Sequence, residues 1–163
     1  MRTSKAELIR QDMLSTPWNS KALSINSKIR IFNTNVKAVL LYGSETWKIA
    51  TTINSKLQCF INKCLRHILN IRWSDTISNK SLWERTNQNP IDIDIKKRKW
   101  DWIGHTLRKP SNNTTKQALD WNPQGKRRVE RPRQTWRRSI EMEAKEAGFT
   151  WTQLKRIAQN RVQ

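Results

Sequence analysis

Pro90-Ile91-Asp92-Ile93-Asp94-Ile95-Lys96-Lys97-Arg98-Lys99-Trp100-Asp101-Trp102-Ile103-Gly104-His105-Thr106-Leu107-Arg108 can be read in two ways. Its opening alternates isoleucine with aspartate, the period of two that marks a strand with one buried face. Over the longer window, Ile91, Ile95, Trp102, Ile103 and Leu107 fall along one stripe of a helix. Proline suits the first helical position, where a backbone N–H would have no intrahelical acceptor. Two aspartates in the opening turn meet the positive end of the helix dipole. These features favour a helix over residues 90–108, and with it a chain built without a sheet.

The flanking sequence agrees. Ser24 reads as an N-cap for a helix whose apolar face is Ile25, Ile29, Phe32, Val36 and Val39, widened by Leu40 and Leu41 and broken at Gly43. From about Thr52, Ile53, Leu57, Phe60, Ile61, Cys64, Leu65 and Ile68 mark a second helix, so the pair forms a helical hairpin. A weakly amphipathic first helix is expected to stop at Thr16-Pro17. Ser78 caps a short helix holding Leu82 and Trp83, ended by Asn87-Gln88-Asn89-Pro90. Downstream, short helices are expected over residues 115–121 and 133–147, with Trp136, Ile140 and Ala144 on one face of the latter. Gly148 suits a C-terminal cap, and Thr150-Trp151-Thr152-Gln153 has capping-box spacing before a last helix. The expected fold is all-α: residues 1–23 as an N-terminal segment, 24–89 as the hairpin region, and 90–163 as a smaller basic helical lobe.

Charge points to the partner. Residues 96–138 hold 14 Lys/Arg against 3 Asp/Glu, a net +11 of the chain's +19, and four of its nine tryptophans. A polyanion carrying flat bases is the ligand that dense cations interleaved with aromatic planes suit. The candidate contacts are Lys96, Lys97, Arg98, Lys99, Trp100, Arg108, Lys109, Lys126, Arg127, Arg128, Arg131, Arg133, Arg137 and Arg138. Arginine forks suit phosphate oxygens bidentately. Trp100 falls with Lys96, Lys97 and Lys99 near the polar side and is the candidate for base stacking, or else packs inside, whereas Trp102 belongs to the apolar stripe. The tryptophans are expected to supply much of the core that aliphatics do not, the chain being 36% hydrophobic. The longest apolar run is residues 38–42, far short of a membrane span.

Enzyme chemistry finds little support. Cys59, Cys64 and His67 have spacings of five and three with no fourth ligand at a zinc-knuckle interval, so two core cysteines and a surface histidine are expected, in a reducing compartment. Asp92, Asp94 and Lys96 form a minimal match to the acidic-plus-lysine pattern of metal-dependent nucleases, which a helix would disperse. The four glycines are isolated and make no phosphate loop. No cofactor and no small-molecule substrate are expected.

Four motifs in order carry a family resemblance: residues 31–36 (Ile-Phe-Asn-Thr-Asn-Val), 40–47 (Leu-Leu-Tyr-Gly-Ser-Glu-Thr-Trp), 100–108 (Trp-Asp-Trp-Ile-Gly-His-Thr-Leu-Arg) and 131–136 (Arg-Pro-Arg-Gln-Thr-Trp). With them the chain, from about residue 24 to 161, resembles the C-terminal part of a non-LTR (LINE-type, RTE-like) retrotransposon reverse transcriptase. The resemblance implies thumb helices over residues 24–69 and a basic post-polymerase contact over 96–138. Together these would grip template–primer, element RNA or target DNA. The palm's paired aspartates are not found, and the only tyrosine, Tyr42, precedes glycine. The expectation is therefore a non-catalytic nucleic-acid-binding fragment of an RNA-directed DNA polymerase, nuclear and cytoplasmic, binding RNA, DNA or their hybrid. The alternatives are a structural relic or truncated reading frame with generic polyanion affinity, and the metal nuclease.

Overall fold

The computed structural model describes residues 16–48, 50–72, 74–121 and 136–160, and among them every regular element is a helix. The ambiguous stretch is helical from Ile91 to Arg108. The chain divides into two compact units, one of residues 1–42 and 49–94, the other of residues 43–48 and 95–163.

The first unit opens with a helical turn, α1 (Thr16–Asn19). The expected helix upstream lies outside the described residues, and the Thr16-Pro17 step, where it was expected to stop, is itself helical. Proline is a helix starter in its first turn and a breaker only further in. Trp18 is buried, edge-on to Phe32 and His67 with ring centroids 6.0 and 6.2 Å away. Helix α2 (Ile25–Ile31) is capped by Ser24, whose hydroxyl accepts from the Ser27 N–H at 3.2 Å. It runs on into a π-helical segment, Phe32–Lys37, and then α3 (Ala38–Leu40).

That π-helical segment corrects the expected apolar face. The Ala38 N–H bonds to the Asn33 carbonyl, five residues back rather than four. One extra residue in the turn rotates everything after it. The buried positions are therefore Ile29, Phe32, Val36 and then Leu41, a last interval of five, while Val39 is 52% exposed. Ile25, at the other end, is also exposed. Gly43 adopts a left-handed φ of 73° and ends the segment.

Helix α4 (Thr51–Ile68) buries Ile61, Cys64, Leu65 and Ile68, and α5 (Asn79–Thr86) contributes Leu82. Ser78 caps α5 through the Ser81 N–H, and Asn87 ends it in a left-handed conformation at φ 49°. Helix α6 (Ile91–Arg108) starts in this unit with Ile91 buried.

The second unit holds the rest of α6, with α7 (Thr114–Asp120), α8 (Trp136–Glu146) and α9 (Trp151–Gln159). Its core is Ile103, Leu107, Leu119 and Ile140, and Trp100, Trp102, Trp136, Trp151 and Ala158 pack around it. Four indoles thus enlarge this cluster of four aliphatic residues. Trp102 and Trp136 meet edge to face at 5.8 Å, and the Trp136 N–H donates to the Glu45 carbonyl at 3.0 Å, tying the 3₁₀ turn Ser44–Thr46 into this unit. Gly148 adopts φ 80° after α8, and the Thr150–Gln153 capping box opens α9 with both reciprocal bonds made.

Candidate nucleic-acid interface

Helix α6 sorts the basic residues by side. Its 3.6-residue turn buries Ile95, Lys99, Ile103, Thr106 and Leu107 and leaves Lys96, Lys97, Asp101, His105 and Arg108 exposed, with Arg98 half-buried. None of Lys96, Lys97 and Arg98 pairs with a carboxylate among the described residues. Among the described residues Arg108 makes a long bond, 3.5 Å, to the Ala158 carbonyl. Lys96, Lys97 and Arg108 thus face solvent, with Asp101 as the acidic residue exposed between them.

Lys99 is a correction. It does not join the polar side with Lys96 and Lys97 but is 2% exposed, with its ammonium paired to the Glu143 carboxylate of α8. The other carboxylate oxygen accepts from the Trp100 indole N–H at 3.1 Å. Trp100 is packed against the core, the inward one of the two placements open to it from sequence. An ammonium one turn from Ile95 and Ile103 can sit inside because a carboxylate from another helix meets it there.

Arg137 is also committed within the unit. Its guanidinium donates to the carbonyls of Leu119, Asp120 and Trp121 at 3.4, 3.0 and 3.3 Å, and to Glu141 at 3.0 Å. It thereby satisfies carbonyls at the C-terminal end of α7 that have no intrahelical donor. Lys109 is half-buried, its carbonyl accepting from Lys116 at 2.7 Å, and Arg138 is exposed. Lys126, Arg127, Arg128, Arg131 and Arg133 lie outside the described residues.

Sequence reasoning passed over Trp121. It is 67% exposed where the chain leaves α7, while its backbone carbonyl is fixed by Arg137. The signal lay in its position: it precedes Asn122-Pro123, where a helix must end, and a residue just beyond a helix end lacks the neighbours that would cover it. Nearby, Asp120 accepts from Lys155 at 2.7 Å and from the Trp151 indole at 3.5 Å. Burial works to raise its carboxyl, but the Lys155 bond and charge, the Trp151 bond and the Arg137 charge outweigh it, and the group lies below the usual aspartate value.

The alternative chemistries do not assemble. Asp92 and Lys96 lie one turn apart on α6, but Asp94 is rotated by roughly 200° from Asp92, and its carboxylate pairs with Lys37. No three His, Cys, Asp or Glu side chains converge among the described residues. Cys64 is buried and its thiol is pushed up to about 12 by desolvation, which its backbone hydrogen bond only partly opposes. Cys59 is exposed, which corrects the expectation of two core cysteines. No helix among the described residues is long and apolar enough to cross a membrane.

Among comparisons with known proteins, a family model described as Domain of unknown function (DUF6451) matches residues 13–42, a minor part of the chain that takes in α1 to α3. No curated protein and no solved structure matches.

Proposed function

We propose that this chain is a non-catalytic nucleic-acid-binding segment, similar to the thumb and post-polymerase part of a non-LTR retrotransposon reverse transcriptase. The observation that carries the reading is the exposed cations of α6: Lys96, Lys97 and Arg108 stand in solvent, and they and the half-buried Arg98 have no carboxylate partner among the described residues. Phosphate is the natural counter-charge for them. Each neutralised phosphate releases condensed counterions, an entropic gain that a lone surface cation in water lacks. Trp121 supplies an exposed indole in the same unit, and an indole stacks on any base. The tract holding Lys126, Arg127, Arg128, Arg131 and Arg133 adds cations of the type best suited to phosphate oxygens. Lys99, Trp100 and Arg137 leave the set of contacts, because each is engaged inside the unit. Recognition through phosphate and stacking is tolerant of sequence and suits a grip on template–primer or element RNA.

The test is equilibrium binding to an RNA/DNA hybrid across a salt series. For Lys96→Ala, Lys97→Ala and Arg98→Ala combined, the slope of log K against log salt should fall by about 0.7 to 0.9 for each phosphate contact removed. An unchanged slope removes α6 from the interface. A hybrid bound no better than heparin at physiological salt would leave generic polyanion affinity in place of a gripping function.

A further inference from the structure

Trp121 stands apart from the other indoles. It is 67% exposed, whereas every other tryptophan among the described residues is buried or half-buried. Its backbone is nonetheless fixed. The N–H donates to the Gln117 carbonyl at 2.8 Å, and the carbonyl accepts from the Arg137 guanidinium at 3.3 Å. The two residues before it are held as well. Leu119 is buried in the core of the unit, and its carbonyl and that of Asp120 accept from the same guanidinium. The Asp120 carboxylate pairs with Lys155 of α9. Arg137 thus ties α8 to the end of α7 through three successive carbonyls. A residue whose backbone is already ordered is spared that ordering cost on binding, a gain of roughly tenfold in affinity.

The groups that hold this backbone limit what can cover the indole. Arg137 pairs with Glu141 and Lys155 with Asp120, and the four side chains are 33 to 46% exposed. A protein surface closing over Trp121 would take those charges out of water at a cost. A base covers one face of the ring and leaves them wet. Magnitudes then separate paired from unpaired bases. One base stacked on an aromatic side chain is worth roughly five- to 150-fold in affinity. Unstacking a base step inside a duplex costs about as much. A single indole therefore gains little from a closed duplex and the whole stacking from a base already free.

We propose that Trp121 is a stacking platform for one unpaired base and that Arg137 is its positioning residue. The proposal rests on the reading of the chain as a nucleic-acid binder and adds which form of strand the second unit selects. The cations of α6 supply affinity for any phosphate backbone, and Trp121 supplies the preference for a free base. Arg137 contributes without touching the strand, by holding the end of α7 where the indole meets solvent.

The full chain is titrated by fluorescence anisotropy with a labelled thymidine strand and with an abasic strand of the same length, which carries the same phosphates and no bases. The thymidine strand should bind about tenfold tighter. Trp121→Ala should erase that difference and leave the abasic affinity and the salt slope unchanged, and an exposed side chain can be removed without loss of the fold. Trp121→Leu, apolar but not planar, should erase it too, whereas Trp121→Phe should keep most of it. Arg137→Ala should narrow the difference to a few-fold without lowering the salt slope, and should add nothing in the Trp121→Ala background. Arg137→Met keeps the packing of the stem and takes its place if Arg137→Ala unfolds. Equal affinity for the two strands overturns the platform and leaves the function proposed above standing. A difference that survives Trp121→Ala does the same, by placing the stacking elsewhere. Equal loss of affinity for a long blunt duplex in Trp121→Ala overturns the preference for an unpaired base. A salt slope lower by about 0.7 in Arg137→Ala would make Arg137 a phosphate contact and overturn its positioning role. Trp121→Ala that changes self-association and not strand affinity assigns the indole to a protein contact instead. No binding of either strand at low salt overturns both proposals.

Discussion

Glu143 settles the environment of Lys99, which local sequence would send toward solvent, and of Trp100, for which local sequence leaves two placements open. Its oxygens meet the Lys99 ammonium and the Trp100 N–H, and Lys99 is buried. Nothing within four positions of Lys99 announces this, because the partner lies 44 residues on. A helical wheel ranks lysine as surface, and only a carboxylate delivered by tertiary packing reverses the ranking. Removing that carboxylate strands a buried cation. Glu143→Ala should cost about 3–5 kcal/mol in chemical denaturation, and Lys99→Met in the same background should restore most of it, since an apolar replacement of a buried pair is often neutral. A loss below about 1 kcal/mol for Glu143→Ala would mean the pair behaves as a surface one. Burial acts on Cys64 as well. Cys64 rises from 9.0 to about 12, so the folded state holds its proton more tightly than the unfolded chain does. Its contribution to stability is complete below pH 9.0 and is lost as pH climbs toward about 12. Denaturation midpoints for the wild type should fall through that window more steeply than those for Cys64→Ala, and parallel curves would show that Cys64 does not drive the loss.

At the scale of the element, the caps were legible and the helical register was not wholly so. Ser24, Ser78, Thr150 and Gln153 act where their side-chain chemistry places them, because a cap depends on three or four neighbouring residues and little else. The strand-like alternation of residues 91–95 lost to the longer helical stripe for a similar reason: Ile91 and Ile95 are buried and Ile93 is half exposed. The π-helical segment left no such mark, and it turned Val39 outward, while Leu41, already on the expected face, is buried. A face drawn at a constant 3.6 residues per turn cannot anticipate an added residue. The start of α6 carries a second tertiary device. The Ile91 N–H, which has no intrahelical acceptor, donates to the Gln58 Oε1 of α4 at 2.8 Å. The same side chain donates to the Asn62 Oδ1, which also accepts from the Trp83 indole of α5, so Gln58 ties α4 to α6 and Asn62 ties α4 to α5. Gln58→Ala should destabilise by about 1–3 kcal/mol, since it leaves a part-buried donor unsatisfied. Amide exchange at Ile91 should accelerate before the rest of α6, a local signature that general loss of packing would not give.

The whole molecule is governed by a charge of +19 on 163 residues. That excess was plain in the sequence, but which cations face solvent was not: the fold withdraws Lys99 and Arg137 and leaves Lys96, Lys97 and Arg108 outside. Long-range repulsion among the outward cations opposes the compact state and is screened by salt, whereas the buried Lys99–Glu143 pair is shielded from screening. Stability and binding should therefore answer to salt in opposite directions. Between about 0.01 M and 0.1 M the Debye length shrinks from roughly 30 Å to 10 Å, and the melting temperature of the free chain should rise over that range. Affinity for a nucleic-acid strand should fall over the same range, because counterion release yields less as bulk salt increases. A saturating strand should replace salt as the source of screening, so that the bound protein melts higher at low salt and gains little from added salt. If the free chain melted lower as salt rose, attractive surface pairs would dominate its electrostatics. The outward cations would then be neutralised by the protein's own carboxylates, and phosphate would have little charge left to meet.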